Sequence, residues 1–178
     1  GQTCIAPDYI LIDETIKDLF IEACKRTLKA FYGESTKTSE DYSRIVNDRH
    51  FDRLVSMIDE DSTHIIFGGE HDKQTRYIEP TFINGGSTTE PIALRAMDDE
   101  IFGPIIPVIT YRQAKEIVPF VSKYYKPLAL YVFSEDNAFT AHILDNISFG
   151  GGCVNDTLSH FIHRELPFGG VGTSGLGA

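Results

Sequence analysis

The chain contains no tryptophan, only two methionines and only three cysteines in 178 residues. An odd cysteine count without zinc-type pairs argues against a disulfide framework. It fits free thiols in a reducing, cytoplasmic setting. Cationic side chains are also scarce. Sixteen Lys and Arg against 26 Asp and Glu give a formal net charge of −10. That charge repels phosphate backbones, so nucleic acid is not expected as a partner. No apolar run approaches the ~20 residues of a membrane span, and no signal or transit pattern opens the chain. Membrane association is therefore not indicated. There is no internal repeat, low-complexity tract or linker, so residues 1–178 read as one domain. The chain does not begin with Met, as expected of a portion of a longer polypeptide.

What remains is ordinary globular material. Hydrophobic residues make up 42% and charged residues 24%, enough for a buried core. Asp13 is expected to cap a helix over about 15–32, with Ile16, Phe20, Ala23, Thr27 and Phe31 on one face and Gly33 as the stop. Cys24 lies beside that face and reads as a core thiol. Asn47 or Asp48 can cap a second helix carrying Phe51, Leu54, Val55 and Ile58. Residues 63–67 read as a strand ended by Gly68-Gly69. Residues 77–83 read as an irregular or edge strand because of Pro80. Residues 85–91 form a loop and 105–111 a buried strand. Then come a helix over 113–123, an apolar strand over 128–133 of the doubly covered kind, a helix over 136–146 and a short strand at 153–155. Strands alternating with helices predict an α/β fold, a mostly parallel sheet flanked by helices. The closing stretch, 166–178, is a glycine-rich loop.

Four segments can carry chemistry. Cys4 follows Gly1-Gln2-Thr3, and its small polar neighbours, with a helix start expected after it, suit a nucleophilic thiol. Taken alone, a cysteine is more often structural. Glu100-Ile101-Phe102-Gly103-Pro104 presents a carboxylate suited to accepting from a diol, yet Asp98-Asp99-Glu100 alone reads as a solvated turn. Gly170-x-Gly172-x-x-Gly175 matches the dinucleotide fingerprint literally. It lacks the strand before it, the helix after it and the acidic residue ~20 positions on, so the match is rejected. Asn155, in Gly151-Gly152-Cys153-Val154-Asn155-Asp156, can fix backbone groups through both ends of its amide. Cys153 beside it is expected to be buried. His160 and His163 lie three apart, but no third ligand has zinc-like spacing, so no metal site is expected.

These segments together resemble the aldehyde dehydrogenase superfamily, and the run Gly1-Gln2-Thr3-Cys4-Ile5-Ala6-Pro7-Asp8-Tyr9 is most similar to its family 3 branch. Phe31-Tyr32-Gly33-Glu34, Arg44-Ile45, Arg49-His50-Phe51, Pro127-Leu128-Ala129-Leu130-Tyr131 and Pro167-Phe168-Gly169-Gly170 extend the resemblance over essentially the whole chain. It implies the catalytic, thiol-bearing domain of a fatty or aromatic aldehyde dehydrogenase that uses NAD or NADP and forms a homodimer. Cys4 would be the nucleophile. Glu100 would hold the nicotinamide ribose, with Phe102 packed near it. Asn155, Gly169 and Gly170 would support the active-site mouth. The Cys4 amide would be one oxyanion donor. The resemblance puts the second donor, the general base and the dinucleotide-binding domain upstream of Gly1, which implies that residues 1–178 alone are inactive.

Two other classes compete. A cysteine hydrolase or acyl transferase would use Cys4 with His160 and Asn155, but the papain-type context around its cysteine includes a tryptophan that this chain lacks. A non-catalytic interface domain could keep the same fold.

Overall fold

A computed structural model describes residues 1–176. Gly177 and Ala178, the end of the expected 166–178 loop, lie outside the described residues. Where the sequence reads as one domain, the backbone groups into two compact units. One comprises 1–2 and 8–111, the other 3–7 and 112 onward.

The first unit contains the strands β1 (Ile10–Asp13), β2 (Ile65–Phe67), β3 (His71–Asp72), β4 (Tyr77–Ile78), β5 (Thr81–Ser87) and β6 (Ile105–Tyr111). Its main sheet has the order β1-β6-β5-β2. β1, β6 and β5 run parallel, and β2 pairs antiparallel with β5. β3 and β4 form a separate antiparallel pair. Both faces of the main sheet are covered, as expected for a near-continuous apolar strand such as β6. Phe82 and Val108 join Ile12 and Ile21 in one cluster. Ile83 and Ile105 join Phe51, Leu54, Met57 and Ile58 in another. Phe82 and Ile83 are chain neighbours, so the period-2 pleat of a strand sends them to opposite faces.

Two helices cover this sheet. α1 (Lys17–Tyr32) supplies Ile21 to the first cluster, and α2 (Asp48–Glu60) supplies Phe51 to Ile58 to the second. Asn47 caps α2 as expected, its side chain accepting from the His50 amide at 2.9 Å. Asp13 does not cap α1. Its carboxylate accepts from the Thr15 amide (2.9 Å) and hydroxyl (2.6 Å), closing a turn after β1 two residues before the helix. The expected apolar face of α1 is also displaced. Ile16 is 49% exposed and Phe31 70%, while Ile21 is buried and Phe20, Cys24 and Leu28 pack against its cluster.

Three strand expectations change in detail. Residues 62–64 form a 3₁₀ turn, leaving β2 only Ile65–Phe67. Pro80 separates β4 from β5, and β5 is an interior strand of the main sheet. Residues 85–87 belong to β5, not to a loop, with a register shift between Asn84 and Ser87.

The second unit contains α3 (Ile117–Val121), β7 (Ala129–Val132), α4 (Asn137–Asn146), β8 (Gly151–Val154) and α5 (Ser159–Ile162). β7 and β8 are parallel, with Tyr131 opposite Cys153, and α4 is the crossover between them. Asp136 caps α4, its side chain accepting from the Ala138 and Phe139 amides. The helix expected over 113–123 begins as a 3₁₀ turn at 114–116 and becomes α-helical only for α3. Ala129, Leu130 and Tyr131 are only half-buried and Phe133 just beyond β7 is 64% exposed, so the doubly covered pattern expected for 128–133 is not found there. The class is α/β with a mostly parallel sheet. No helix among the described residues is long and apolar enough to cross a membrane.

Candidate active site

Cys4 lies in the second unit, on a turn closed by the Ala6 amide donating to the Thr3 carbonyl at 3.1 Å. No helix begins after it, in contrast to the expectation from the sequence. Its side chain is exposed, while Ile5 beside it is buried. The turn is therefore anchored through Ile5 and leaves the thiol accessible. The anchor has a polar half as well. The Tyr131 hydroxyl, from β7, donates to the Ile5 carbonyl at 2.7 Å. Burial pushes the Tyr131 phenol above its ordinary range, and the neighbouring Cys153 and Cys4 push in the same direction. Tyr131 therefore stays a neutral hydroxyl donor at neutral pH.

Cys153, opposite Tyr131 on β8, is half-buried. Its sulfur lies 3.2 Å from the Ser159 hydroxyl and 3.5 Å from His160 Nδ1. The His160 ring also packs against Tyr131 and Phe168. The imidazole that a Cys4 hydrolase would need is thus paired with Cys153. Asn155 is engaged too. Its Oδ1 accepts from the Ser134 amide at 2.9 Å and its Nδ2 donates to the Ser134 carbonyl at 3.0 Å. This two-sided clamp ties the end of β8 to the residue two after β7. The backbone of Asn155 is left-handed, with φ of 56°. Gly169 and Gly170 sit against the start of β8. A Cβ on Gly150 would overlap the Gly169 carbonyl, so this close approach requires glycine. His163 lies just outside α5, and among the described residues no group of three His, Cys, Asp or Glu could hold a metal.

Glu100 and Phe102 belong to the first unit. The Glu100 side chain is exposed, whereas its backbone is held. The Arg53 guanidinium, from α2, donates to the Glu100 carbonyl at 3.2 Å and to the Ile101 carbonyl. The Asp8 carboxylate accepts from the Ile101 amide at 3.0 Å. Ile101 is buried, and Phe102 has a left-handed φ of 49°. Gly103 packs so closely on Leu54 that a Cβ there would lie inside the leucine side chain. An exposed carboxylate on a fixed backbone suits a ribose diol, so these residues fit the nicotinamide cofactor expected there. Gln2 is held in the same unit, its Oε1 accepting from the Val46 amide at 3.0 Å.

Tyr131, Asp8 and Arg53 carry no local signal that marks them as site residues. Asp8 and Tyr131 fall within segments that resemble the family, and Arg53 within a helix read only for its apolar positions. Their partners lie 93, 126 and 47–48 positions away.

The aldehyde dehydrogenase family matches residues 1–178. The chain is similar to 4,4'-diaponeurosporen-aldehyde dehydrogenase of Staphylococcus aureus, 48% identical over 177 residues, which are 99% of this chain and 38% of that protein. It is also similar to aldehyde dehydrogenase family 3 member A2 of Rattus norvegicus, 46% identical over 178 residues, 100% of this chain and 36% of the relative. Among solved structures, substrate-bound AldH of Staphylococcus aureus superposes with a TM-score of 0.92 at 47% identity, covering 99% of this chain and 38% of that one. The chain thus spans well under half the length of these relatives.

Proposed function

Because the chain belongs to the aldehyde dehydrogenase family, we propose that it is the thiol-bearing portion of an enzyme that oxidises fatty or aromatic aldehydes to acids. The observation that carries this reading is the exposed Cys4 on a turn whose next residue is buried and hydrogen-bonded to Tyr131. An anchored backbone with a free thiol is what a covalent nucleophile needs.

The Cys4 sulfur forms a bond to the aldehyde carbon as the carbonyl π electrons move to oxygen, giving a thiohemiacetal. The Cys4 amide is one donor for that oxyanion. A nicotinamide cofactor, NAD or NADP, would supply the acceptor for the hydride that leaves the former aldehyde carbon, so that the thiohemiacetal on Cys4 becomes a thioester. Glu100 would hold the cofactor's ribose hydroxyls, and Phe102 would pack beside it. Water then adds its oxygen to the thioester carbon, and the C–S bond breaks, releasing the acid and returning a water proton to the Cys4 sulfur or to a base. Asn155 keeps the β7 and β8 ends together through its clamp on Ser134. A homodimer belongs to the same reading. The general base and the second oxyanion donor are assigned to polypeptide outside residues 1–178.

The test is Cys4→Ala in the intact enzyme. It should abolish both aldehyde oxidation and ester hydrolysis, because both pass through the same thioester or acyl-sulfur bond. Near-normal turnover in that variant would overturn the reading.

A further inference from the structure

Glu100 and Phe102 stand on a backbone that does not hold itself. Phe102 is non-glycine yet left-handed, a conformation that persists only when its surroundings impose it. Two side chains from elsewhere in the sequence do so. Arg53 donates to the carbonyls of Glu100 and Ile101, and Asp8 accepts from the Ile101 amide. The Phe102 amide acts on the same carboxyl. Burial pushes the Asp8 carboxyl above its ordinary range, the Ile101 amide opposes this, and the nearby Glu100 charge pushes it up further. A carboxylate placed beside another carboxylate, and paying desolvation there, is an unfavourable choice for stability alone. Its compensation is the loop's peptide N–H groups and Arg53.

We propose that Asp8 is a positioning residue for the cofactor: it fixes the 100–102 backbone so that Glu100 presents its carboxylate to the nicotinamide ribose. This rests on the assignment of Glu100 to the cofactor. Asp8 itself touches neither cofactor nor aldehyde in this scheme. It acts through the Ile101 and Phe102 peptide groups. The carboxylate oxygen, not the charge, is the required feature, because the contact that shapes the loop is acceptance from an amide.

The experiment compares Asp8→Ala, Asp8→Asn and Glu100→Gln in the intact enzyme. Three quantities are read: amide hydrogen exchange over peptides covering 98–104, dinucleotide Kd by calorimetry without aldehyde, and the rate of Cys4 alkylation. Asp8→Ala should speed exchange in 98–104 and weaken dinucleotide binding about tenfold, as expected when a part-buried amide loses its acceptor. Asp8→Asn keeps an amide acceptor and should stay within about threefold of wild type, since it also removes the repulsion with Glu100. Cys4 alkylation should be unchanged in both. Wild-type exchange over 98–104 in Asp8→Ala would overturn the proposal, as would a general rise in exchange across the chain with Asn behaving like Ala. The Glu100→Gln arm separates the two ideas. If it weakens dinucleotide binding while Asp8→Ala does not, the positioning role alone is wrong. If Glu100→Gln leaves binding unchanged, the cofactor assignment fails and the role of Asp8 falls with it.

Discussion

The Tyr131 hydroxyl donates to the Ile5 carbonyl at 2.7 Å, across 126 positions of sequence, at the residue that follows Cys4. This bond connects the Cys4 turn to strand β7 and holds the carbonyl of a buried residue. Tyr131→Phe should therefore destabilise the protein by about 1–2 kcal/mol, the cost of leaving a buried acceptor unpaired. Equilibrium denaturation measures this directly. The same variant should lower kcat more than it changes the KM for aldehyde, because the orientation of Cys4 matters to bond formation. An unaltered denaturation midpoint would show that the bond contributes nothing.

The three thiols should separate by reactivity. Cys4 is exposed, while Cys24, within α1, packs against the cluster of Ile12, Ile21, Phe82 and Val108, and burial pushes its thiol above the ordinary range. Iodoacetamide at neutral pH should modify Cys4 first and Cys24 last, since the thiolate is the reacting form. The rate at Cys24 should keep climbing beyond the pH at which an ordinary thiol is fully ionised. The stability consequence has a definite sign. A raised folded-state value means the folded protein holds its proton where the unfolded chain releases it. The stabilisation is complete below the ordinary thiol range and is lost as pH rises through the raised value. Mass mapping of alkylated peptides against pH tests the order, and comparing Cys24→Ala with wild type in that alkaline window tests the sign.

Local sequence made one helix cap and the alternation of strands and helices readable, while the cap expected of Asp13 was not formed. Asn47 is a clear case, because a cap acts on an amide three residues away. The phase of α1 was not readable in the same way. Ile16, Phe20 and Phe31 are spaced as well for one face as Phe20, Ile21, Cys24 and Leu28 are for another. What selects the second set is the sheet beneath it, through Ile12, Phe82 and Val108. The thiol, the Glu100 segment and the closing glycines were legible by their resemblance to a family. The side chains that hold them, Tyr131, Asp8 and Arg53, act over 47 to 126 positions and have no periodicity to betray them. Long-range polar contacts of this kind depend on the finished fold, so a pattern within one element does not encode them.

Asp61 is a further long-range holder, and its removal should be costly. The residue is buried, and its two carboxylate oxygens accept from the Arg95 and Ala96 amides, each at 2.9 Å. These amides begin the 3₁₀ turn Arg95–Met97 that precedes the Glu100 segment. Asp61→Ala would leave two amides without their acceptor and should cost about 2–4 kcal/mol by chemical denaturation. Asp61→Asn retains one acceptor and should lose roughly half as much. Equal losses for the two variants would mean that the volume of the side chain, not its acceptors, is what the site requires.

The last prediction concerns residues 1–178 on their own. Their one literal dinucleotide fingerprint, Gly170 to Gly175, is folded onto itself. The Val171 amide donates to the Ser174 hydroxyl at 2.9 Å, and the Ser174 amide donates back to the Val171 carbonyl at 3.2 Å. A Cβ on Gly170 would overlap the Ser174 carbonyl. The turn at Gly172–Ser174 is three residues long and offers no helix N-terminus with free amides for a pyrophosphate. On the proposed assignment, what remains for a cofactor among the described residues is the Glu100 carboxylate with Phe102. Two hydrogen bonds from a ribose diol to one exposed carboxylate supply about 3–6 kcal/mol, from which about 4 kcal/mol or more is lost in immobilising the ligand. A micromolar Kd corresponds to about 8 kcal/mol and a millimolar one to about 4. The isolated polypeptide should therefore bind NAD or NADP no tighter than millimolar, below detection by calorimetry, and should reduce neither in the presence of aldehyde. Micromolar affinity would mean that these residues contain a phosphate-binding element beyond Glu100 and Phe102, and that assigning the pyrophosphate site to other polypeptide is wrong.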